Sequence, residues 1–309
     1  NAYTETCAAI AGANWYQRLN LFYEDAKYAD SYERALYNGM LVGVNLSGGL
    51  FYYACGLDSG SHARSSWFSC ACCPPNLMRT IANIGGYMYT VNKDKVFVNM
   101  YAGSTANINV EGTNVEVVQE TNYPWDGFIK MTVTPETAMD FTLNIRIPGW
   151  IKAQKYQQVT ITVDGEEIDA TPNDKGYVTI TKNWSADGTV LNIDMPMEIR
   201  MTEADDNVHY PDNPDYGQRN KVVIERGPIV YNLETPGVPV SETSGRDARQ
   251  VVIPRDIELT ATWRPDLLRG VVEITGMAYY GSNLEPQFIQ LTPYYARNNR
   301  GNNPSNLGS

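Results

Sequence analysis

The sequence predicts a multidomain α + β protein in which a helical N-terminal region precedes two antiparallel β-sandwich units. Three observations support this prediction. Apolar residues recur at helical spacing before about residue 92, and short strand-like runs separated by turn residues replace them afterwards. At 309 residues, the chain is also longer than one average domain. The predicted divisions are 1–92, 93–204 and 205–309, and the strands of one sandwich could be nested among those of the other.

The N-terminal region contains helical patterns and two short apolar runs. Asn38-Gly39 is expected to end one helix, and Gly85-Gly86 another, because these residues accept backbone conformations that stop a helix. Proline is favoured in the first turn of a helix, so Pro74 or Pro75 is expected to open the third. These signals predict helices over 6–22, 26–37 and from 74 or 75 to 85, and a hairpin of 40–46 with 50–54.

The remaining chain consists of short strand-like runs at regular spacing. Turn pairs such as Asp164-Gly165 and Asp187-Gly188 separate them. Many short strands in succession favour sandwiches over alternating strand–helix units. The predicted strands are 95–101, 107–110, 114–120, 127–135, 140–147, 158–163, 176–181, 189–195, 222–225, 229–233, 257–263, 271–276 and 288–293.

Composition excludes two classes of partner. The net charge is −11 and the pI is about 4.7, which argues against nucleic acid and against an anionic membrane surface. No apolar run approaches the roughly 20 residues of a membrane span. The 21 tyrosines and 6 tryptophans suit stacking on sugar rings, although ordinary β-rich cores are the more common reason for such a composition.

Three of the five cysteines lie in one tetrapeptide, Cys70-Ala71-Cys72-Cys73. Adjacent cysteines bridge each other only with strain, and this clustering differs from a framework of spaced disulfides. Thiolates gathered in this way hold a metal such as zinc or act as nucleophiles. The alternative is that the cysteines are simply buried side chains. Burial is the expectation for Cys55 and Cys70.

A fourth donor group could come from Glu5-Thr6-Cys7, which offers a carboxylate and a thiol two residues apart. With Cys72 and Cys73 it would complete a tetrahedral set of one oxygen and three sulfurs. The two cysteines precede a helix start, where the backbone N–H groups and the helix dipole favour ionised thiols. From spacing alone, a metal or nucleophile site and plain burial both stay open.

Three motifs of the N-terminal region are ETCA at 5–8, YERALYNG at 32–39 and CACCPPN at 70–76, and the combination of Glu-x-Cys with Cys-Cys-Pro is highly specific. These motifs resemble the β-L-arabinofuranosidases of glycoside hydrolase family 127 and the related family 146. Segments in the β region fit as well, and the resemblance runs in order through nearly the whole chain. These segments are YPWDG at 123–127, LNIRIPGW at 143–150, RGPIVY at 226–231 and PYYA at 293–296.

The resemblance implies a retaining glycoside hydrolase that removes β-L-arabinofuranosyl residues from plant-type glycans. It implies zinc held by Glu5, Cys7, Cys72 and Cys73, with Cys72 as the nucleophile. Glu33 and Tyr53 match pocket positions and are candidate substrate contacts. Their ordinary alternatives are a salt bridge on a helix surface for Glu33 and a packed strand aromatic for Tyr53.

The resemblance also implies parts that precede this sequence. The family's acid/base glutamate lies shortly upstream of the Glu-x-Cys motif, and residues 1–92 match only the end of an (α/α)6 barrel. The chain is therefore expected to be the C-terminal part of a bacterial enzyme and inactive alone. The expected partner is an oligosaccharide or glycoprotein glycan containing L-arabinofuranose. A homodimer, and a periplasmic or cytoplasmic location, are left open. The alternative function is a carbohydrate-binding or structural β-sandwich module without catalysis.

Overall fold

The computed structural model describes residues 4–56, 63–151, 155, 158–203, 221–234 and 248–300. These residues contain three α-helices and seventeen β-strands, and the strands form three sheets. The chain divides into two compact units. One unit comprises 1–6, 37–74 and 198–309, and the other comprises 7–36 and 75–197.

The three predicted helices are confirmed. They are α1 (Thr6–Tyr23), α2 (Ala26–Ala35) and α3 (Cys73–Ala82). Asp25 caps α2, since its side chain accepts a hydrogen bond from the backbone N–H of Lys27 at 3.1 Å. Helix α3 begins one residue before the predicted prolines. Prolines at its next two positions are tolerated because backbone N–H groups in the first turn have no partner within the helix.

The predicted hairpin is wrong. After α2 the chain continues through a π-helical turn, Leu36–Met40, and a 3-10 turn, Leu41–Gly43. Only isolated bridges follow, which pair Val44 with Phe51 and Phe51 with Ser65. The side chain of Asn38, predicted to stop α2, instead donates to the carbonyl of Pro228 and accepts from the N–H of Val230. A short apolar run does not by itself distinguish a strand from a helix. The hydrogen bonds of Asn38 to residues 228 and 230, which are distant in the sequence, accompany the helical turns found here.

The unit containing residues 75–197 has two sheets. A core of alternating side chains supports them: Ile129, Met131 and Val133 are all fully buried. One pair departs from the antiparallel pattern, because β2 runs parallel to β6. The four-stranded sheet is β1 (Tyr89–Asn92), β2 (Lys95–Val98), β6 (Met139–Arg146) and β9 (Tyr177–Trp184). The six-stranded sheet is β3 (Ser104–Val110), β4 (Thr113–Thr121), β5 (Phe128–Pro135), β10 (Thr189–Asp194), β7 (Thr160–Val163) and β8 (Glu166–Ile168).

The other unit contains a seven-stranded antiparallel sheet built from the last strands of the chain. Its order is β11 (Ile199–Glu203), β12 (Val222–Arg226), β13 (Ile229–Leu233), β17 (Glu285–Pro293), β16 (Val271–Tyr280) and β14 (Val251–Val252), with β15 (Leu259–Arg264) also paired to β16. In the described ranges, its strands are not interleaved with those of the first two sheets.

The fold is thus α + β, with the helices first and the β-sheet units after them. The predicted boundary at 204/205 lies outside the described residues, and the three domain ranges stay predictions. None of the helices in the part of the chain that the structure describes is both long and apolar enough to cross a membrane.

Candidate metal and nucleophile site

Glu5 is held in place by the backbone around it. It forms an isolated β-bridge with Ala54 immediately before α1 begins. The next residue, Thr6, donates its backbone N–H to the carbonyl of Tyr53 at 2.9 Å and its hydroxyl to the carbonyl of Tyr52 at 3.0 Å. These contacts fix the start of α1 beside residues 52–54, so the Glu5 side chain projects from a defined position.

The two adjacent cysteines meet the Glu5 carboxylate. The Sγ atoms of Cys72 and Cys73 lie 3.4 Å and 3.7 Å from Glu5 Oε1. Their own sulfurs are 3.7 Å apart, and Cys73 Sγ also lies 3.8 Å from the carbonyl oxygen of Tyr53. Cys73 is buried and is the first residue of α3, whereas Cys72 precedes the helix and is half-buried.

Cys7 supplies the fourth donor from the first turn of α1. Its Sγ accepts a hydrogen bond from Asn76 Nδ2 at 3.1 Å. The ligand atoms of all four predicted residues lie within 4.8 Å of one another: Glu5, Cys7, Cys72 and Cys73. The structure therefore brings together every residue of the predicted metal set.

This donor set fits zinc. Thiolate sulfurs and carboxylate oxygens are both zinc ligands, and four such donors can form a tetrahedral site. Because Zn–S bonds are about 2.3 Å long, two sulfurs on one tetrahedral ion lie about 3.8 Å apart. The 3.7 Å separation of the Cys72 and Cys73 sulfurs agrees with that value.

None of the five cysteines, all of which lie among the described residues, forms a disulfide, and two of them lie outside the donor set. Cys55 is buried as predicted, and its sulfur accepts a hydrogen bond from the Tyr294 hydroxyl at 3.2 Å. Cys70 is exposed, so the expectation of burial is wrong for it. The charge of the Cys72 side chain and a side-chain hydrogen bond to it raise the pKa of the Cys70 thiol above its ordinary value.

A pocket of about 430 Å³ is lined by residues that include Tyr53, Phe68 and Cys70. Tyr53 forms part of its wall, and its ring packs edge-on against Phe68 with the centroids 5.8 Å apart. Aromatic walls of this kind suit an apolar or sugar-ring face. Tyr53 is thus both a packed aromatic and a pocket residue, and its role as a substrate contact stays a prediction. Phe68 was not predicted as a pocket residue, although its position two residues before Cys70 could have indicated that it lies near the site.

Glu33 lies in a different environment, within the unit that contains α2 and β6. It is 1% exposed, and its Oε1 accepts hydrogen bonds from Arg146 at 2.7 Å and from the Tyr123 hydroxyl at 2.8 Å. Arg146 is fully buried and also pairs with Asp30. Although burial alone would lower it, the carboxylates of Glu33 and Asp30 hold the pKa of Arg146 well above its ordinary value.

Glu33 is therefore a buried ion-pair partner rather than a residue of an exposed helix surface. Tyr53, Cys72 and Cys73 belong to the other compact unit. The role of Glu33 as a substrate contact stays a prediction.

Comparison with protein families matches three successive segments to one family. Residues 1–86 match the catalytic domain of the GH127 β-L-arabinofuranosidases, residues 95–197 match their middle domain, and residues 200–307 match the C-terminal domain of glycoside hydrolase family 127. A helical segment followed by β-sheet units thus matches, in order, the domains of a class of carbohydrate-cleaving enzymes. The chain belongs to glycoside hydrolase family 127.

Individual relatives agree with this assignment. A non-reducing end β-L-arabinofuranosidase of Bifidobacterium longum subsp. longum is 30% identical over 96% of this chain and 47% of its own length. A GH127 β-L-arabinofuranosidase from Geobacillus stearothermophilus T6 is 39% identical, with a TM-score of 0.84 over 97% of this chain and 48% of its own. A GH127 β-arabinofuranosidase is 34% identical, with a TM-score of 0.85 over the same shares. The chain spans about half the length of these relatives.

Proposed function

We propose that this chain contributes the thiol-bearing part of the active site in a retaining β-L-arabinofuranosidase that acts on plant-type glycans. The observation that carries the proposal is the convergence of Glu5, Cys7, Cys72 and Cys73, whose ligand atoms lie within 4.8 Å of one another. The names of the relatives supply the substrate class, a non-reducing end β-L-arabinofuranosyl group.

Glu5, Cys7, Cys72 and Cys73 would together hold a zinc ion. When bound, zinc keeps coordinating thiols deprotonated at neutral pH and limits the directions in which they point. Asn76 supports this set from outside, because its amide donates to the sulfur of Cys7 and so orients that side chain.

Cys72 is the proposed nucleophile, and accessibility is the reason for choosing it among the three clustered thiols. Cys73 is 1% exposed, and its sulfur faces the Tyr53 carbonyl. The sulfur of Cys7 is engaged by Asn76. Cys72 is half-buried, lies at the N-terminal end of α3 where negative charge is stabilised, and is two residues from the pocket residue Cys70.

The reaction would follow a double displacement. The sulfur of Cys72 attacks the anomeric carbon, a C–S bond forms, and the glycosidic C–O bond breaks. The leaving oxygen takes a proton from a general acid, which the family resemblance assigns to a glutamate upstream of Glu5. Water then gives a proton to the carboxylate of that same glutamate and attacks the same carbon, the C–S bond breaks with the sulfur leaving as thiolate, and two inversions restore the original configuration.

The pocket beside Cys70 gives Tyr53 its proposed role. Its ring would contact the sugar or the group attached to it while Phe68 supports that ring from the side. If Glu33 also contacts substrate, its Oε1 would have to share or exchange its hydrogen bonds from Arg146 and Tyr123.

A thiol-directed affinity label tests the nucleophile. The probe is a haloacetyl derivative of β-L-arabinofuranosylamine, and the labelled residue is identified by peptide mass spectrometry. We expect the wild-type protein to be labelled at Cys72, with protection by free L-arabinose. Labelling should be lost in Cys72→Ala and retained in the matched control Cys70→Ala, which removes a more exposed thiol of the same tetrapeptide. Labelling of Cys70 alone, or glycan binding without any labelling, would favour a carbohydrate-binding module.

A further inference from the structure

Cys70 is a thiol that the proposed metal set does not use. It is exposed, it lies two residues from the half-buried Cys72, and it follows a segment that forms the pocket wall. The proposed nucleophile therefore has a second, more accessible sulfur as its neighbour.

The backbone brings these two residues close enough to bridge. The N–H of Cys72 donates to the carbonyl of Cys70 at 3.0 Å, which is the hydrogen bond of a three-residue γ-turn. Two residues apart, an extended chain spans at most about 7 Å. The turn shortens that distance, and disulfides join Cα atoms about 4.4–6.8 Å apart.

The alternative pairings within residues 70–73 are less favourable. Cys72 and Cys73 are adjacent, so a bridge between them would require strained geometry, although their sulfurs are 3.7 Å apart. Cys73 is 1% exposed and is the first residue of α3. Cys70 precedes the helix, so it can move without disrupting helical hydrogen bonds.

We propose that Cys70 and Cys72 are an oxidation site at which a peroxide converts the two thiols into a reversible disulfide. The Cys72 thiolate attacks one peroxide oxygen and becomes a sulfenic acid as the other oxygen leaves as hydroxide. The Cys70 sulfur then attacks the sulfur of Cys72, the S–O bond breaks, and water leaves. Two thiols are oxidised, and one hydrogen peroxide is reduced to two waters.

This bridge protects Cys72 from irreversible oxidation. A sulfenic acid with no thiol placed to form a bridge with it is oxidised further to a sulfinic acid, whereas a disulfide returns to thiols in the presence of a reductant. The bridge also withdraws the Cys72 sulfur from reaction. Disulfide formation itself does not depend on the proposed glycosidase function, but its effect on activity does.

Peptide mass spectrometry tests the site directly. The purified protein is treated with hydrogen peroxide, remaining thiols are alkylated, and the protein is cleaved with trypsin after Arg64 and Arg79. Residues 65–79 then form one peptide that contains all three clustered cysteines. We expect this peptide to lose two hydrogens and to carry the alkyl group on Cys73, and dithiothreitol should restore three alkylated cysteines.

Two variants complete the test. In Cys70→Ser we expect no bridge and, instead, a sulfinic acid at Cys72 that dithiothreitol does not reverse. Cys55→Ser removes a buried thiol elsewhere in the chain and should leave the bridge unchanged. The proposal is overturned if the alkyl group appears on Cys70 or Cys72, if Cys70→Ser responds to peroxide like the wild type, or if peroxide leaves all three thiols free. A loss of activity with no bridge would count against the oxidation site but not against the glycosidase.

Discussion

Two carboxylates that the sequence analysis selected, Glu33 and Glu5, are placed in opposite environments. Glu33 is buried against a fully buried guanidinium from Arg146 and the hydroxyl of Tyr123. Glu5 is half-buried, and its Oε1 lies against the sulfurs of Cys72 and Cys73. The first carboxylate is neutralised by a cation of the chain itself, whereas the second is surrounded by groups that become anionic when they ionise.

This difference separates a structural role from the proposed metal-binding role. A buried ion pair that is also hydrogen-bonded joins two elements of one fold, here α2 and β6. A carboxylate beside thiols gains stability from a cation bound from solution, since thiolates repel it otherwise. Each prediction below tests this contrast.

The largest effect is expected from replacing Arg146, the cation of the Glu33 network. This network consists of Glu33, Arg146, Asp30 and Tyr123. Arg146→Met leaves Glu33 and Asp30 without their shared guanidinium, and breaking a buried pair in this way costs about 3–5 kcal/mol. The free energy of unfolding is measured by urea denaturation. The control is Lys130→Met, which breaks an ion pair with Glu120 in which the two side chains are 44% and 58% exposed. Its expected cost is at most about 1 kcal/mol.

A companion variant separates charge from packing. Arg146→Met combined with Glu33→Gln removes the uncompensated charge, so part of the lost stability should return. If Arg146→Met is no more destabilising than Lys130→Met, the network does not hold α2 against β6.

The second largest effect is expected on metal binding by Glu5, Cys7, Cys72 and Cys73. Glu5→Gln removes one of four donors, and we expect the affinity for zinc to fall at least about a hundredfold, because even indirect partners of a metal site contribute tenfold or more. Competition with a chromogenic chelator measures the affinity, and elemental analysis measures the bound metal. Cys55→Ser, which alters a thiol outside the cluster, should keep wild-type affinity. Equal affinities in the two variants would exclude Glu5 as a ligand.

The strands were largely predictable because their signals are local. On β5, inward-facing apolar residues alternate with polar ones, and the turn at Asp164-Gly165 takes positive φ angles of 52° and 89°. Four strands were missed: β1, β8, β11 and β14. Two of them have weak local signals, because β8 begins with two glutamates, which are depleted in strands, and β14 is only two residues long. Tertiary pairing defines both of these.

The candidate site was predictable to the extent that residue type reveals chemistry. Three clustered cysteines and a Glu-x-Cys motif indicate metal or nucleophile chemistry wherever they meet. The Arg146–Glu33 pair spans 113 residues along the chain and has no local pattern. Its one available signal was an arginine at the end of an apolar strand, β6, because a buried charge needs a partner.

A smaller effect is expected where the backbone approaches the Glu33 network. The N–H of Gly149 donates to Asp30 Oδ2 at 3.0 Å, and a Cβ at Gly149 would lie 2.5 Å from that oxygen. Because Arg146 also holds Asp30, Gly149→Ala should cost about 1–3 kcal/mol. Gly86→Ala is the control, since a Cβ there would meet no atom within 4 Å. Equal unfolding midpoints for the two variants would mean that Asp30 is free to move.

The smallest effect is expected from changing Asp266, a carboxylate that is exposed to solvent and paired with Arg264. It adds a solvent-exposed ion pair to the comparison. Arg264 donates to both carboxylate oxygens of Asp266, at 3.1 Å and 2.9 Å, and these hydrogen bonds lower the pKa of Asp266. A carboxyl group with a lowered folded-state pKa stabilises the fold above its unfolded pKa of about 3.9, and the contribution is lost as the pH falls through the folded value.

Asp266→Asn should therefore change the urea midpoint little at pH 7 and reduce the loss of stability below about pH 4. Asp94→Asn, at another exposed aspartate, serves as the control. If Asp266→Asn lowered stability at neutral pH as much as Arg146→Met does, exposure would not distinguish these ion pairs. The contrast between a buried pair and a solvated one would then no longer explain why Glu33 serves the fold.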